Sequence, residues 1–388
     1  MLTEAQYQET RRHLRDSVER SVRALESLRS QVKDLSRPIR IQPRSTTTVS
    51  LVGTDGGHNQ RGINPFITQF MRVVDSNDHE HTVEVVSAHE SLEDLFDKHQ
   101  QLDSSGRATP LKHLMDALDI RRPRDMARLT PLFSQPDPMK RSSSWLQVYR
   151  HISEWAVLLK LVESDYASDT LFVWDGPLRT KVFPSEVFQH IVKRINDAIN
   201  RQLIDRGRKY YLVGVIKHSK VMERFRLAMA LEGVLRQSFP CYVKLTGDLM
   251  LQAIDWIEYL SVAERASVSE GTANRTTKDV FSAAQMYFVK FGSRPSDPVW
   301  AADIWETQVQ ADQQIFSYLL NDAIDGFPIP MFPQSVQLAH RYAALVDIDV
   351  EIFDRTFGKE LRLALRDRAD IVDELELQDS DPASRRYE

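Results

Sequence analysis

Cysteine is nearly absent from this 388-residue chain: Cys241 stands alone. One thiol makes no internal disulfide and no multi-cysteine zinc site, the pattern expected of a protein kept in a reducing cytoplasm. Glycine is scarce as well, with 14 residues. None of them forms G-x-x-x-x-G-K-[ST] or G-x-G-x-x-G, so the chain has no backbone cradle of the P-loop or dinucleotide kind. G-x-S-x-G is missing too, which removes the nucleophile elbow of the α/β-hydrolases. No apolar run approaches the ~20 residues of a membrane helix, so no membrane attachment is expected. The opening residues MLTEAQYQE are acidic and polar, unlike a secretory signal. Positive charge is in deficit overall. The formal net charge of −5 argues against a protein that coats nucleic acid indiscriminately, but leaves room for a local basic groove.

What is present describes an ordinary globular protein of one or two domains, with 42% hydrophobic and 27% charged residues. The chain is organised around Val49-Ser50-Leu51-Val52-Gly53-Thr54-Asp55-Gly56-Gly57. The apolar, β-favouring run predicts a buried strand, and Gly56-Gly57 predict a sharp exit with φ > 0, which would leave Asp55 at a strand end. Thr170-Leu171-Phe172-Val173-Trp174-Asp175-Gly176-Pro177-Leu178 repeats the design. Taken singly, each Asp-Gly is good turn chemistry. Taken together, two strands ending on carboxylates converge if they are sheet neighbours. Two carboxylates in one site repel unless a proton or a metal lies between them.

Around these strands the periodicities predict a long helix over about 3–36, with Leu25, Leu28, Val32 and Leu35 at heptad-like spacing and Pro38 as its stop. A polar loop is expected after Asp55. Strands at Pro65–Val74 and His81–Ala88 follow, then helices over 89–102 and 108–119. Residues 121–144, rich in Arg, Pro and Ser, read as a basic connection. Trp145–Val162 reads as an amphipathic helix and 184–203 as another. Tyr210–Ile216 is a fully apolar, covered strand. Helices at 220–235, 310–320, 333–345 and 349–366 and strands at 241–245, 285–291 and 300–305 complete the pass. The boundaries read as an N-terminal helix (1–38) for a dimer or partner contact, a main domain (39–366) and an acidic tail (367–388). The fold class is α/β: a ribonuclease-H-like mixed sheet flanked by helices, with inserted helices and a long N-terminal helix.

Charge is unevenly spread. Between Arg179 and Arg226 stand twelve basic residues and four acids, a local excess of +8 that begins directly after Asp175. A basic flank beside an acidic pair suits a phosphate backbone held against a metal, although helices with solvated faces would show the same charges. For a third acid, Glu154 is preferred to Glu163, because it borders the apolar stripe carrying Trp155 and Leu158. His340, on a predicted helix, is by type a structural residue, a metal ligand or a proton shuttle.

Strand-Asp55-Gly, a helical Glu154, strand-Asp175-Gly-Pro-Leu, the strand leading to Gly214-Val-Ile-Lys217-His-Ser, and a Pro-rich turn running to Ala339-His340 occur in an order that resembles the NurA family of DNA-end-processing nucleases, over roughly residues 45–345. The resemblance implies a ribonuclease-H-like, manganese-dependent deoxyribonuclease, with Mg²⁺ as the other candidate ion. It would be a 5′ to 3′ exonuclease, with single-strand endonuclease activity as a further expectation. It would act as a homodimer docked on the hexameric HerA-type translocase, in DNA repair or phage defence. Asp55, Glu154, Asp175 and His340 match the catalytic and metal-binding residues. Lys217 falls at the lysine after the central strand, and Lys220, Arg179 and Lys181 would contact DNA. One departure stands out. Phe332 occupies the position of the family's tyrosine, so that hydroxyl must be dispensable or come from elsewhere, for instance Tyr342.

Two other classes compete. A catalytically weak or inactive protein on the same fold would bind DNA or the translocase, and the Phe332 departure is its best support. An RNase would use the same core, but no residue pattern here reads a 2′-hydroxyl.

Overall fold

Strand patterning accounts for the centre of the molecule. The computed structural model describes residues 3–35, 37–44, 49–63, 65–87, 89–102, 106–121, 126, 145–180, 182–250, 282–344, 347–368 and 371. Among them nine strands form one mixed sheet: β1 (Ile39–Arg40), β2 (Ser50–Ile63), β3 (Phe66–Asp75), β4 (Glu80–Ser87), β5 (Thr170–Asp175), β6 (Tyr210–Ile216), β7 (Cys241–Lys244), β8 (Ala284–Lys290) and β9 (Trp300–Trp305). Their order is β1-β7-β8-β9-β6-β5-β2-β3-β4. β2, β3 and β4 are antiparallel, whereas β2, β5 and β6 run parallel. Three antiparallel strands joined to two parallel ones through the first strand is the ribonuclease-H-like layout expected from the sequence. All seven residues of β6 are buried, as the uninterrupted apolar run requires of a strand covered on both faces.

The described helices are α1 (Glu4–Val32), α2 (Leu92–Gln100), α3 (Pro110–Leu118), α4 (Trp145–Glu163), α5 (Ser185–Arg206), α6 (Lys220–Leu231), α7 (Asp312–Ile324), α8 (Gln334–Ala343) and α9 (Asp347–Leu365). α4 and α5 bury Trp155, Leu158, Phe188 and Ile191 against Val52, Phe172, Trp174 and Leu212 on one side of the sheet. α7 and α8 bury Phe316, Leu319 and Val336 against Leu171, Val173 and Val213 on the other. The alternation of β5 thus sends even-numbered residues to one helix layer and odd-numbered residues to the other. α1 is closed by a capping box between Thr3 and Gln6. The far end of its stripe, at Leu25, Leu28, Val32 and Leu35, packs with Val221 and Phe225 of α6. Arg29 Nε reinforces this contact by donating to Glu232 at 2.6 Å. No helix among the described residues is long and apolar enough to cross a membrane.

Two local expectations need correction. β2 does not end at Asp55 but runs on to Ile63, pairing with β3 from Thr54↔Asp75 to Ile63↔Phe66, so the loop expected there is a long hairpin arm. Neither Gly56 nor Gly57 has a positive φ. These glycines serve close packing against neighbouring elements. The two-residue β1 was not foreseen, because a strand that short carries no periodicity. The proposed basic connection lies outside the described residues except for Arg121 and Met126, and so does the tail beyond Ile371.

Candidate metal centre

Register alone brings the two repeated Asp-Gly motifs together. β2 and β5 pair in parallel from Ser50↔Thr170 to Thr54↔Trp174, so Asp55 and Asp175 follow at the same level and on the same face. β5 pairs with β6 through Asp175↔Val215, which sets Lys217 two residues beyond, again on that face. Lys217 Nζ donates to Asp175 Oδ2 at 2.8 Å. The second Asp-Gly is the turn it was expected to be, with Gly176 at φ 142°.

α8 supplies the third group. It lies directly on β2, because Gly53 and Gly57 flank Asp55 on the face it covers. A Cβ at Gly53 would stand 2.8 Å from Val336 N, and one at Gly57 would stand 2.6 Å from the Ala343 carbonyl carbon. At this distance His340 Nδ1 meets Asp55 Oδ2 at 2.6 Å, while Gly56 N donates to Asp55 Oδ1 at 2.8 Å. One donor atom each of Asp55, Asp175 and His340 lies within 4.8 Å of the others. The bond to Asp55 raises the His340 imidazole above its ordinary pKa. Burial, and then the Asp55 charge, push the Asp175 carboxyl up to about 6 against the opposing pull of Lys217.

Glu154 reaches the same cavity from the opposite side of the sheet. That cavity, about 770 Å³, is lined by Asp55, Asp175, His340, Lys217, Glu154 and His218, among others. Because Glu154 stands on α4 and not on the α8 side, it does not join the three-residue group. Its oxygens face Arg150 Nε and His151 Nδ1, each at 3.4 Å. The Trp155 indole donates to His151 Nε2 at 3.0 Å, which leaves the proton of a neutral His151 on Nδ1, towards Glu154. Gly56 makes room here, since a Cβ on it would come 2.9 Å from Glu154 Cδ. Arg150 and His151 were missed as site residues, although they lie four and three residues before Glu154, one helical turn along the same face. Glu163, the other candidate acid, lies elsewhere, bonded to His113 at 2.5 Å and to Arg194 at 2.7 Å.

The expected DNA-binding cations separate. Lys217 and Lys220 line cavities at the strand ends. Arg179 turns inwards: its side chain is 6% exposed, and Nε meets the fully buried Asp303 at 2.9 Å. Asp303 also accepts from Leu178 N at 3.1 Å, so the pair ties the loop after Asp175 to β9. Lys181 lies outside the described residues. Arg194 and Arg206 of α5 pair with Glu163 and Asp165, so part of the basic excess is spent within the fold. Removing Arg179 would strand Asp303 in the core. Arg179→Ala is expected to destabilise by about 3 kcal/mol in a urea melt.

Phe332 is fully buried. Its ring packs edge-on against Trp300 at 4.9 Å and lies under the Lys217 ammonium at 5.3 Å. The ring thus supports Lys217 from the core side. The Tyr342 hydroxyl accepts from Arg341 Nη2 at 3.3 Å and is not part of the cavity lining.

No family model matches the chain, and no curated protein does. Among solved structures it is similar to the NurA nuclease from Sulfolobus solfataricus, with 10% identity and a TM-score of 0.40 over 94% of this chain and 99% of that one. It is similar to a second NurA structure at 12% identity and a TM-score of 0.37, covering 94% and 98% of the two chains. A NurA bound to dAMP and manganese shares 9% identity at a TM-score of 0.33, covering 89% and 94%.

Proposed function

We propose that this chain is a metal-dependent nuclease acting on DNA. The observation that carries this reading is the convergence of Asp55, Asp175 and His340 beside Lys217, at the parallel-strand ends and on one wall of a cavity. Two carboxylates and an imidazole are hard and borderline donors, suited to Mn²⁺ or Mg²⁺. Asp55, Asp175 and His340 would hold the ion, and Glu154 adds a carboxylate from the opposite wall. A divalent ion bound there supplies Lewis acidity and an activated water. The Lys217 ammonium, fixed between Asp175 and the Phe332 ring, stabilises a phosphate lying over the pair. DNA rather than RNA as substrate, manganese as the working ion, 5′ to 3′ polarity, a homodimer and a HerA-type translocase partner are readings from the order of the motifs. Alongside them we keep the reading of a weak or inactive binding protein, for which Phe332 speaks.

The deciding assay is cleavage of end-labelled linear DNA with Mn²⁺, with Mg²⁺ and with EDTA, comparing wild type and Asp175→Ala. Metal-dependent cleavage lost in the variant is the expected result. Cleavage by both proteins would sink the site assignment. Inactivity of both, also after adding a HerA-type translocase, would favour the binding protein. A second expected result is independent of turnover. Mn²⁺ at about 100 times its Kd should add about 2.7 kcal/mol of stability to the wild type. Asp55→Asn should abolish most of that gain in a thermal melt.

A further inference from the structure

We propose that the groove along α6 holds the single-stranded part of the nucleic acid adjoining the cleaved bond, with a base seated on its apolar floor. The proposal deepens the nuclease reading and rests on it for the identity of the ligand. The groove is a second cavity of about 770 Å³, and Lys217 and His218 line both it and the metal-site cavity. A strand whose phosphate lies over Asp55 and Asp175 can therefore pass from one to the other without leaving the protein surface.

The two halves of the groove differ in chemistry. Met229, Val234 and Leu235 are buried residues of the α6 side, and Val299 and Trp300 face them from the segment entering β9. Trp300 is held rigidly, with Nε1 donating to Met331 O at 2.6 Å and its ring set against Phe332. Lys217, Lys220, Arg226 and Arg236 provide four cations against the two carboxylates Glu223 and Asp297. Asp297 already accepts from Arg294 N at 2.7 Å. Apolar and aromatic surface beside a row of cations matches a base next to its own backbone phosphates. A duplex keeps its bases stacked and paired, so it can offer the rim its phosphates but has nothing to give the floor. The volume falls within the range of small-ligand pockets.

The test plugs the groove without touching the metal centre. Ala230 is exposed on α6 and lines the groove. Ala230→Trp, with Ala230→Ser as the conservative control, is compared with wild type in three measurements. The first is fluorescence anisotropy of a short oligo(dT) and of a short duplex in EDTA. The second is Mn²⁺-dependent hydrolysis of bis(p-nitrophenyl) phosphate, which needs only the metal centre. The third is the melting temperature. Ala230→Trp should weaken oligo(dT) binding about tenfold or more, the value of one lost base contact. Duplex binding, small-ester hydrolysis and melting should stay at wild-type levels, and Ala230→Ser should match wild type throughout. Unchanged oligo(dT) binding in Ala230→Trp overturns the proposal, and so does an equal loss for the duplex. Failure of the wild type to hydrolyse the ester would count against the nuclease reading, while the binding comparison still decides the groove.

Discussion

Asp175→Asn is expected to lower DNA cleavage by a factor of about 10³ or more while leaving the protein slightly more stable at pH 8 without metal. The loss follows from removing one of two carboxylates that would neutralise a divalent ion, a change worth several kcal/mol in the transition state. The gain in stability follows from the site's own repulsion. Asp175 is half-buried beside Asp55, and its pKa is pushed up to about 6 in the folded protein. An acid whose folded pKa is raised favours folding only when protonated, so at pH 8 its charge opposes folding in full. Asn removes that charge and keeps an acceptor for Lys217. The net gain should be about 1 kcal/mol, since Lys217 loses an ionic partner. It should fade as the pH falls through 6 towards the range where the unfolded carboxyl also protonates. A variant that is inactive and markedly less stable would instead make Asp175 a structural residue.

Gly57→Ala should do the reverse, leaving every candidate ligand in the chain and yet spoiling the site. The added methyl would overlap the carbonyl of Ala343, which is backbone and can yield only if α8 moves off β2. His340 rides on that helix and meets Asp55 at 2.6 Å, so its displacement takes one of three donors out of range. We expect a destabilisation of about 2–4 kcal/mol from the overpacking. A tenfold or larger loss of Mn²⁺ affinity by calorimetry should accompany it, as for disturbed metal-ligand positioning elsewhere. Gly247→Ala is the control, because a Cβ there meets nothing within 4 Å. It should leave both quantities near their wild-type values. Equal effects of the two substitutions would remove close packing as the reason for glycine at position 57.

These two sites also mark where reading the chain succeeds and where it stops. The apolar runs at 49–54, 170–174 and 210–216 place three adjacent strands, and the repeated Asp-Gly places Asp175 at a strand end, whereas Asp55 stands inside β2, just past its parallel pairing with β5. The stripes of α4 and α8 positioned Glu154 and His340 on helices, because burial of an apolar face needs only local periodicity. What Gly56 and Gly57 do was misjudged. Turn chemistry and close packing both select glycine, and only the neighbouring element distinguishes them. Arg179 was misplaced for a related reason. Its charge reads as solvent-facing until Asp303, 124 residues later, is found beside it in the core.

By itself, then, the sequence determined the class of the sheet, the exclusion of nucleotide-cradling loops and internal disulfides, and the candidate acids, since each depends on residue type and local spacing. The tertiary structure alone decided which of those acids meet. The parallel register of β2, β5 and β6 put Asp55, Asp175 and Lys217 on one face, and α8 carried His340 onto the same face. Glu154 came from the opposite helix layer and remained with Arg150 and His151. Strand register and the choice of face are set by long-range packing, and a change of one residue in register moves a side chain to the other side of the sheet.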